Sequence, residues 1–401
     1  MNSMRPQRNC PVCGSTECVS LHEQQFILPE GHPLTDGYAV VSCQTCGMVY
    51  ADTSVTQAQF DEFYERCSKY EDQQTGTGGG GTTWDQQRLR DTAGEIAKNF
   101  GLTARVLDVG CANGGLLGEL RRSGFIHLCG VDPSTACVRN TTALGLESRQ
   151  GNLTSLPEDL GKFDCVILSH VLEHVWDLRP SLEAVTNVLA GGGSVYAEVP
   201  DAARYLEFIV APFQDFNTEH INHFSAACLT TLFGRFGYEQ TSGGRKEIAS
   251  SADSLTPAIF GFYRKSKTSP APVKKDSDLR AAIQLYISRS RRLMDEIDTH
   301  LTQALEGNSP VLVWGTGQLT MKLLLETALR NHTIAAFVDG NPINHGKVLR
   351  GVRVLSPREL QEGGWGQPIV VGSLLHGKEI VKGIRERYGL ENACIELRPR
   401  P

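Results

Sequence analysis

The stretch Arg105 to Leu117, RVLDVGCANGGLL, constrains this chain more than any other: a short apolar run breaks into a glycine-rich turn and then a helix. A strand ending at Asp108 and followed by Gly110, Gly114 and Gly115 lets the backbone come close to a ligand at a helix N-terminus, as α/β domains do. The ligand expected there is nucleotide-like. The dinucleotide pattern G-x-G-x-x-G sets three glycines around a pyrophosphate. Here the order is Gly110, Ala112, Gly114, with an acid two residues before the first glycine.

The next apolar run, IHLCGVD, ends at Asp132 and is followed by Pro133. An acid at that distance can accept hydrogen bonds from both ribose hydroxyls. Together these residues resemble motif I of class I S-adenosylmethionine (SAM) methyltransferases. The resemblance implies SAM as cofactor, with Asp108, Gly110, Ala112, Gly114, Asp132 and Pro133 around it. It also implies that Asn152 and Leu153 lie beside the adenine, and that Ser169 and His170, ending the apolar strand FDCVILSH, border the cofactor.

In HVLEHVWD, His170 and His174 are four apart, the spacing of a pair on one helix face, as in a metal site. In the metalloprotease motif a glutamate follows the first histidine; here that residue is Val171, and Glu173 precedes the second. The segment reads as a loop edge over the cofactor, with a histidine that is hydrogen-bonded or faces substrate, in preference to a zinc pair.

Cys10, Cys13, Cys43 and Cys46 form two C-x-x-C pairs, each followed by glycine (Gly14, Gly47). The glycines permit the left-handed turn that aims amide N–H groups at thiolate sulfur, and four thiolates suit tetrahedral Zn2+. With all four positions filled by cysteine the metal is expected to be structural. The residues between the pairs are expected to form a small hairpin, with VVSC leading into the second pair.

At 401 residues the chain is long enough for two or three domains. A formal net charge of -6 gives no global steering toward nucleic acid. No apolar run approaches a membrane span, and MNSMRPQRNC lacks the apolar core of a signal peptide, so the expectation is a cytoplasmic protein. Twelve cysteines in such a setting read as thiols and metal ligands, not disulfides.

The stretch Thr56 to Tyr70 has a helical pattern and dissolves into EDQQTGTGGGG. The run Gly78 to Gly81 is either a linker or a lid that carries Tyr64 or Tyr70 into the site. Beyond the sheet, QDFNTEHINHFS carries Asn217, Glu219, His220, Asn222 and His223. An acid with two histidines outside the regular pattern can present acid–base groups to substrate, or be a polar loop bonded to backbone. After the charged linker KSKTSPAPVKKDSD, a helix is expected from about Leu279 to Leu305. VLVWGTGQLT and AFVDGNPINHGKVLRGVRVLSP then repeat the strand, turn and helix logic.

Taken whole, the chain resembles the sugar C-methyltransferases that act on nucleotide-linked 4-keto-deoxysugars in making antibiotic and surface-polysaccharide sugars. The resemblance implies an α/β architecture of three parts: a zinc-binding module over 1–70, a doubly wound SAM methyltransferase domain over 71–265, and a C-terminal Rossmann-like domain over 279–401 that holds the nucleotide-sugar. Carried over by residue, it makes His220 the general base, Glu219 its neighbour and His174 a third catalytic residue. It sets Tyr64, Tyr70, Asn217, Asn222 and His223 about a small-molecule acceptor, in a monomer or homodimer. The chain departs from the family pattern at Asn217 and His223, where aromatics are usual, and in TSGGRKE, which lacks the family's H-G-G-S segment. Those departures keep open an O- or N-methyltransferase acting on a sugar or other small metabolite. An RNA methyltransferase, disfavoured by the acidic balance, and a SAM-binding protein without chemistry complete the alternatives.

Overall fold

A computed structural model describes residues 4–66, 79–251, 254–266 and 271–398. The chain divides into two compact units, each drawing on three segments. The first comprises Met1–His22, Ala39–Phe208 and Glu219–Ile283, and the second Glu23–Tyr38, Ile209–Thr218 and Gln284–Pro401.

The first unit is built on a seven-stranded sheet in the order Tyr238–Ser251, Ser254–Lys265, Leu189–Pro200, Phe163–Ser169, Arg105–Val109, His127–Asp132, Glu147–Gln150. The first two pairings are antiparallel and the rest parallel. From Arg105–Val109 the chain winds outward through two strands, then returns to its other side for Phe163–Ser169, which makes this pair the topological switch point. In open α/β sheets a crevice forms beyond the carboxyl ends of the strands at that point.

The helix Thr83–Asn99 covers one face of this sheet. Thr82 caps it by accepting from the Asp85 amide at 3.2 Å. Its Leu89, Ala93 and Ile96, spaced for one face, join Val106, Leu117, Leu120, Tyr196 and Phe262 in the core.

The paired cysteines fall in this first unit. The two strands between the cysteine pairs, Cys18–Gln25 and Gly37–Cys43, which contains VVSC, are neighbours in one sheet, as the expected hairpin requires, and Val49–Asp52, beyond the second pair, joins Gly37–Cys43 antiparallel. The two-residue strand Asn222–His223 adds to Val49–Asp52, matching His223 to Val49 and Asn222 to Tyr50. Arg8, 2% exposed, threads its guanidinium into the same seam. It donates to the carbonyls of Val175 and Ile221 at 3.2 and 3.4 Å, to that of Trp176, and to Asn222 Oδ1 at 3.0 Å.

The second unit carries a six-stranded sheet in the order Val348–Leu349, Val352–Leu355, Ile334–Val338, Val311–Trp314, Ile369–Val371, Cys394–Ile395. It is parallel except for the edge pair Val348–Leu349 and Val352–Leu355. Leu312, Val338, Leu360, Ile369 and Ile384 lie at its core. The helix expected from about Leu279 to Leu305 has those bounds.

The two units repeat one turn. In the first, Gly110 N–H bonds Val131 O at 2.7 Å, and Asp132 accepts from Ala112 N at 2.8 Å and Ser134 N at 2.9 Å. In the second, Gly315 N–H bonds Val338 O at 2.7 Å, and Asp339 accepts from Thr316 N at 2.9 Å and Asn341 N at 2.8 Å. Among the described residues no helix is long and apolar enough to cross a membrane.

Candidate active site

A cavity of about 350 Å³ opens at the switch point of the first unit. Its floor is the glycine turn. Gly110 has φ +76°, and a Cβ there would come within 2.8 Å of Val171 Cγ2, so only glycine leaves the space open. Asp108, Gly110, Ala112, Asp132, Pro133, Asn152, Leu153, Ser169 and His170 all line the cavity. Gly114 does not line it and instead caps the helix Gly115–Arg122 in the left-handed conformation. Burial, with the neighbouring Asp132 charge, pushes the Asp108 carboxyl up to about 8. Asn152 spends its carbonyl oxygen locally, on the amides of Thr154 and Ser155 at 3.0 and 2.8 Å.

One wall is a buried ionic network. His170, in a positive-φ conformation (φ 56°), sets Nδ1 3.1 Å from Glu173 Oε1 and Nε2 3.3 Å from Glu198 Oε1. Burial opposes a charge on this ring, but the bonds to Glu173 and Glu198 outweigh it and raise the imidazole to about 9. Burial would likewise raise Glu198, yet His170 and Lys246 hold it well below the ordinary carboxylate range. Hydrogen-bonded to Glu173 and within ion-pair distance of Glu198, His170 orders the wall.

Above the turn stand Tyr64, Glu173, His174 and His220. The helix Gln57–Arg66 delivers Tyr64, and Gln57 fixes that helix by accepting the Trp176 amide at 3.0 Å. His174 Nδ1 lies 2.8 Å from the Tyr64 hydroxyl and 3.1 Å from the Glu219 carbonyl oxygen. With a proton on Nδ1 the ring donates to the Glu219 carbonyl and its lone pair sits on Nε2. The His220 ring meets that of His174 edge-on, centroids 4.8 Å apart. Glu173, 1% exposed, keeps Oε1 4.0 Å from His174 Nε2.

The cluster EHINHFS divides in an unexpected way. Only His220 reaches the cavity. Glu219 contributes its backbone carbonyl to His174, and its side chain is not in the cavity wall. Asn222 is buried and structural: its amide donates to the carbonyls of Leu172 and Val175, both at 2.8 Å, and its oxygen accepts from Arg8. His223 is fully buried beside Tyr205, and burial lowers its imidazole to about 3. Both lie in the strand that pairs with Val49–Asp52, where they point to opposite faces and each is buried. Asn217 belongs to the second unit, where its carbonyl accepts from Tyr38 at 2.8 Å. Tyr70 and Gly78 lie outside the described residues. Gly80 bonds to Asp85 and Gln86 at the head of the helix Thr83–Asn99.

Sequence reasoning missed Asp61, Trp84, Arg88 and Glu173 as lining residues. Trp84 and Arg88 are one helical turn apart at the start of a capped helix, a signal that could have found them. Glu173 was visible only as the residue between two noticed positions.

Among the described residues, two groups could hold a metal. The four sulfurs of Cys10, Cys13, Cys43 and Cys46 lie within 4.8 Å of one another, and Cys10 meets Cys46 and Cys13 meets Cys43 at 3.5 Å. Four thiols gathered this closely fit a tetrahedral zinc. The second glycine is required there: Gly47 has φ +82°, and a Cβ would collide with the Asp276 carbonyl. The other group is Glu173, His174 and His220. It leaves out His170, so the H-x-x-x-H spacing does not define it.

Residues 82–242 match a family model described as a methyltransferase domain. A "Probable S-adenosylmethionine-dependent methyltransferase" of Mycolicibacterium smegmatis is 30% identical over 33% of this chain and 51% of its own length. The ubiquinone biosynthesis O-methyltransferase of Marinobacter nauticus is 36% identical over 23% of this chain and 42% of its own, and its mitochondrial counterpart in Homo sapiens 33% identical over 24% and 28%. The chain thus spans about half or less of the curated relatives it matches. A solved magnesium protoporphyrin IX methyltransferase from Synechocystis PCC 6803 with bound SAH is 16% identical over 46% of this chain and 84% of that one, with a TM-score of 0.37, too slight to argue from. The glycine turn and Asp132 both lie inside the segment that matches the methyltransferase-domain model.

Proposed function

We propose that this chain transfers the methyl group of SAM to a small-molecule acceptor held against Tyr64, Glu173, His174 and His220. One observation carries the reading: a single cavity joins the glycine turn and Asp132 to the two imidazoles. SAM on the turn would direct its sulfonium methyl toward that cluster. Proximity would supply much of the rate, since the donor is already activated.

The acceptor favoured by the sequence resemblance is a nucleotide-linked 4-keto-deoxysugar, methylated at carbon. Such a carbon must lose its proton before attack, and the resulting enolate must be stabilised. The resemblance gives the proton to His220, the nucleotide to a C-terminal domain over 279–401, and a structural role to Zn2+ on the four cysteines. A second reading, O-methylation of a small metabolite, is favoured by the ubiquinone-pathway relatives and by Asn217, where the sugar enzymes carry an aromatic.

The test is incubation with methyl-labelled SAM and a panel of keto-sugars, read by mass, with deuterium exchange beside the ketone followed in parallel. One added methyl with exchange supports carbon methylation. SAM binding with neither result on any keto-sugar overturns that acceptor and leaves oxygen acceptors to be tried. His220→Ala is expected to keep SAM affinity and lose turnover.

A further inference from the structure

We propose that Glu173, His174 and His220 bind a divalent first-row transition-metal ion, zinc foremost, on the acceptor side of the cavity. Two imidazoles and one carboxylate are a catalytic zinc donor set, three protein ligands with positions left open. One ligand atom from each residue lies within 4.8 Å of the others. Two donors at about 2.1 Å on a tetrahedral ion sit roughly 3.4 Å apart, so a pair at the outer limit must close by about 1.4 Å through side-chain rotation.

Three features beyond proximity point to an ion. Glu173 is 1% exposed, yet its Oε2 has no hydrogen-bond partner among the described residues, although the side chain lines the cavity. A buried carboxylate oxygen left so is costly unless a cation or donor meets it. His174 Nδ1 faces the Glu219 carbonyl and the Tyr64 hydroxyl, so Nε2 is the ring nitrogen on the Glu173 side, and donation of Nδ1–H to that carbonyl frees Nε2 to coordinate. That is how metal-bound histidines are usually oriented. Finally, His170 holds the other oxygen of Glu173 at 3.1 Å and is itself anchored on Glu198. The carboxylate is therefore fixed from behind, as an outer shell fixes a ligand.

An ion here would polarise an acceptor oxygen and make its neighbouring or attached proton easier to remove. In that state His220 is a ligand, and the proton leaves on hydroxide bound to the ion as water. The ion's role at the acceptor rests on the methyl-transfer reading; its binding does not.

The test is equilibrium dialysis of the full chain at fixed free Zn2+, with zinc counted per chain in wild type, His220→Ala and Glu173→Gln. Each variant is expected to hold one zinc fewer than wild type, whatever the four cysteines hold. Equal counts overturn the site. Should Glu173→Gln fail to fold, His220→Ala, at a partly exposed position, decides alone. SAM affinity and methyl transfer are measured on the same samples. A zinc difference without transfer to any acceptor keeps the site and removes the acceptor reading. Transfer that persists in chelator-treated protein, with counts equal, does the reverse.

Discussion

The Arg8 guanidinium donates to Asn222 Oδ1 at 3.0 Å, joining residues 214 positions apart in a seam where neither side chain meets solvent. The same guanidinium serves three backbone carbonyls. Arg8→Met keeps much of the apolar stem and removes every donor. It is expected to lower unfolding stability by about 3 kcal/mol, because several buried acceptors lose their partner together. Denaturant melts of wild type and variant check this; an unchanged midpoint would show that the seam carries no stability.

Gly110→Ala adds a Cβ 2.8 Å from Val171 Cγ2 at a position with φ +76°. The backbone term alone is worth about 1–2 kcal/mol. SAM affinity, read by calorimetry, is expected to fall at least tenfold. Adding Val171→Ala should relieve the clash and recover part of the loss, whereas no recovery would place the whole effect in the backbone.

Asp215, in the second unit, is half-buried with its Oδ2 shut off from solvent, and burial raises its carboxyl to about 7 against an opposing bond from Tyr286. A raised folded value means that the folded chain holds the proton more tightly than the unfolded one. The contribution is complete below about pH 4 and is lost as pH rises through 7. Asp215→Asn, which cannot ionise, should therefore gain on wild type between pH 5 and pH 8, by up to a few kcal/mol. A melting-temperature difference independent of pH would contradict this.

Cys43→Ser breaks the four-sulfur cluster. The expected result is one zinc fewer per chain and a melting temperature lower by roughly 5 °C or more, because metal binding and folding are linked in such sites. Unchanged zinc content would remove the structural-metal reading.

The methyltransferase turn was legible because its requirements are local. Gly110, Ala112 and Asp132 sit where the spacing put them, and the cysteine pairs converge as their C-x-x-C pattern implies. The Glu219 to His223 segment was not legible. Its residue types look catalytic throughout, but which of them face a cavity is set by pairing with Val49–Asp52, far back in the chain. The local pattern carries no trace of that partner. Glu173 was missed for the opposite reason: its neighbours His170 and His174 drew the eye to histidine spacing, while the structure groups Glu173 with His174 and His220.

The Arg8 seam also sets an order of events during synthesis. The cysteine pairs can close on each other once Cys46 has emerged, but the acceptors of Arg8 run from Val175 to Asn222. Until that stretch leaves the ribosome, at about 5–20 residues per second, Arg8 and the edge of Val49–Asp52 have no final partner. The hairpin must wait roughly ten seconds or more with an open strand edge, and in that interval a chaperone or a neighbouring nascent chain competes for it.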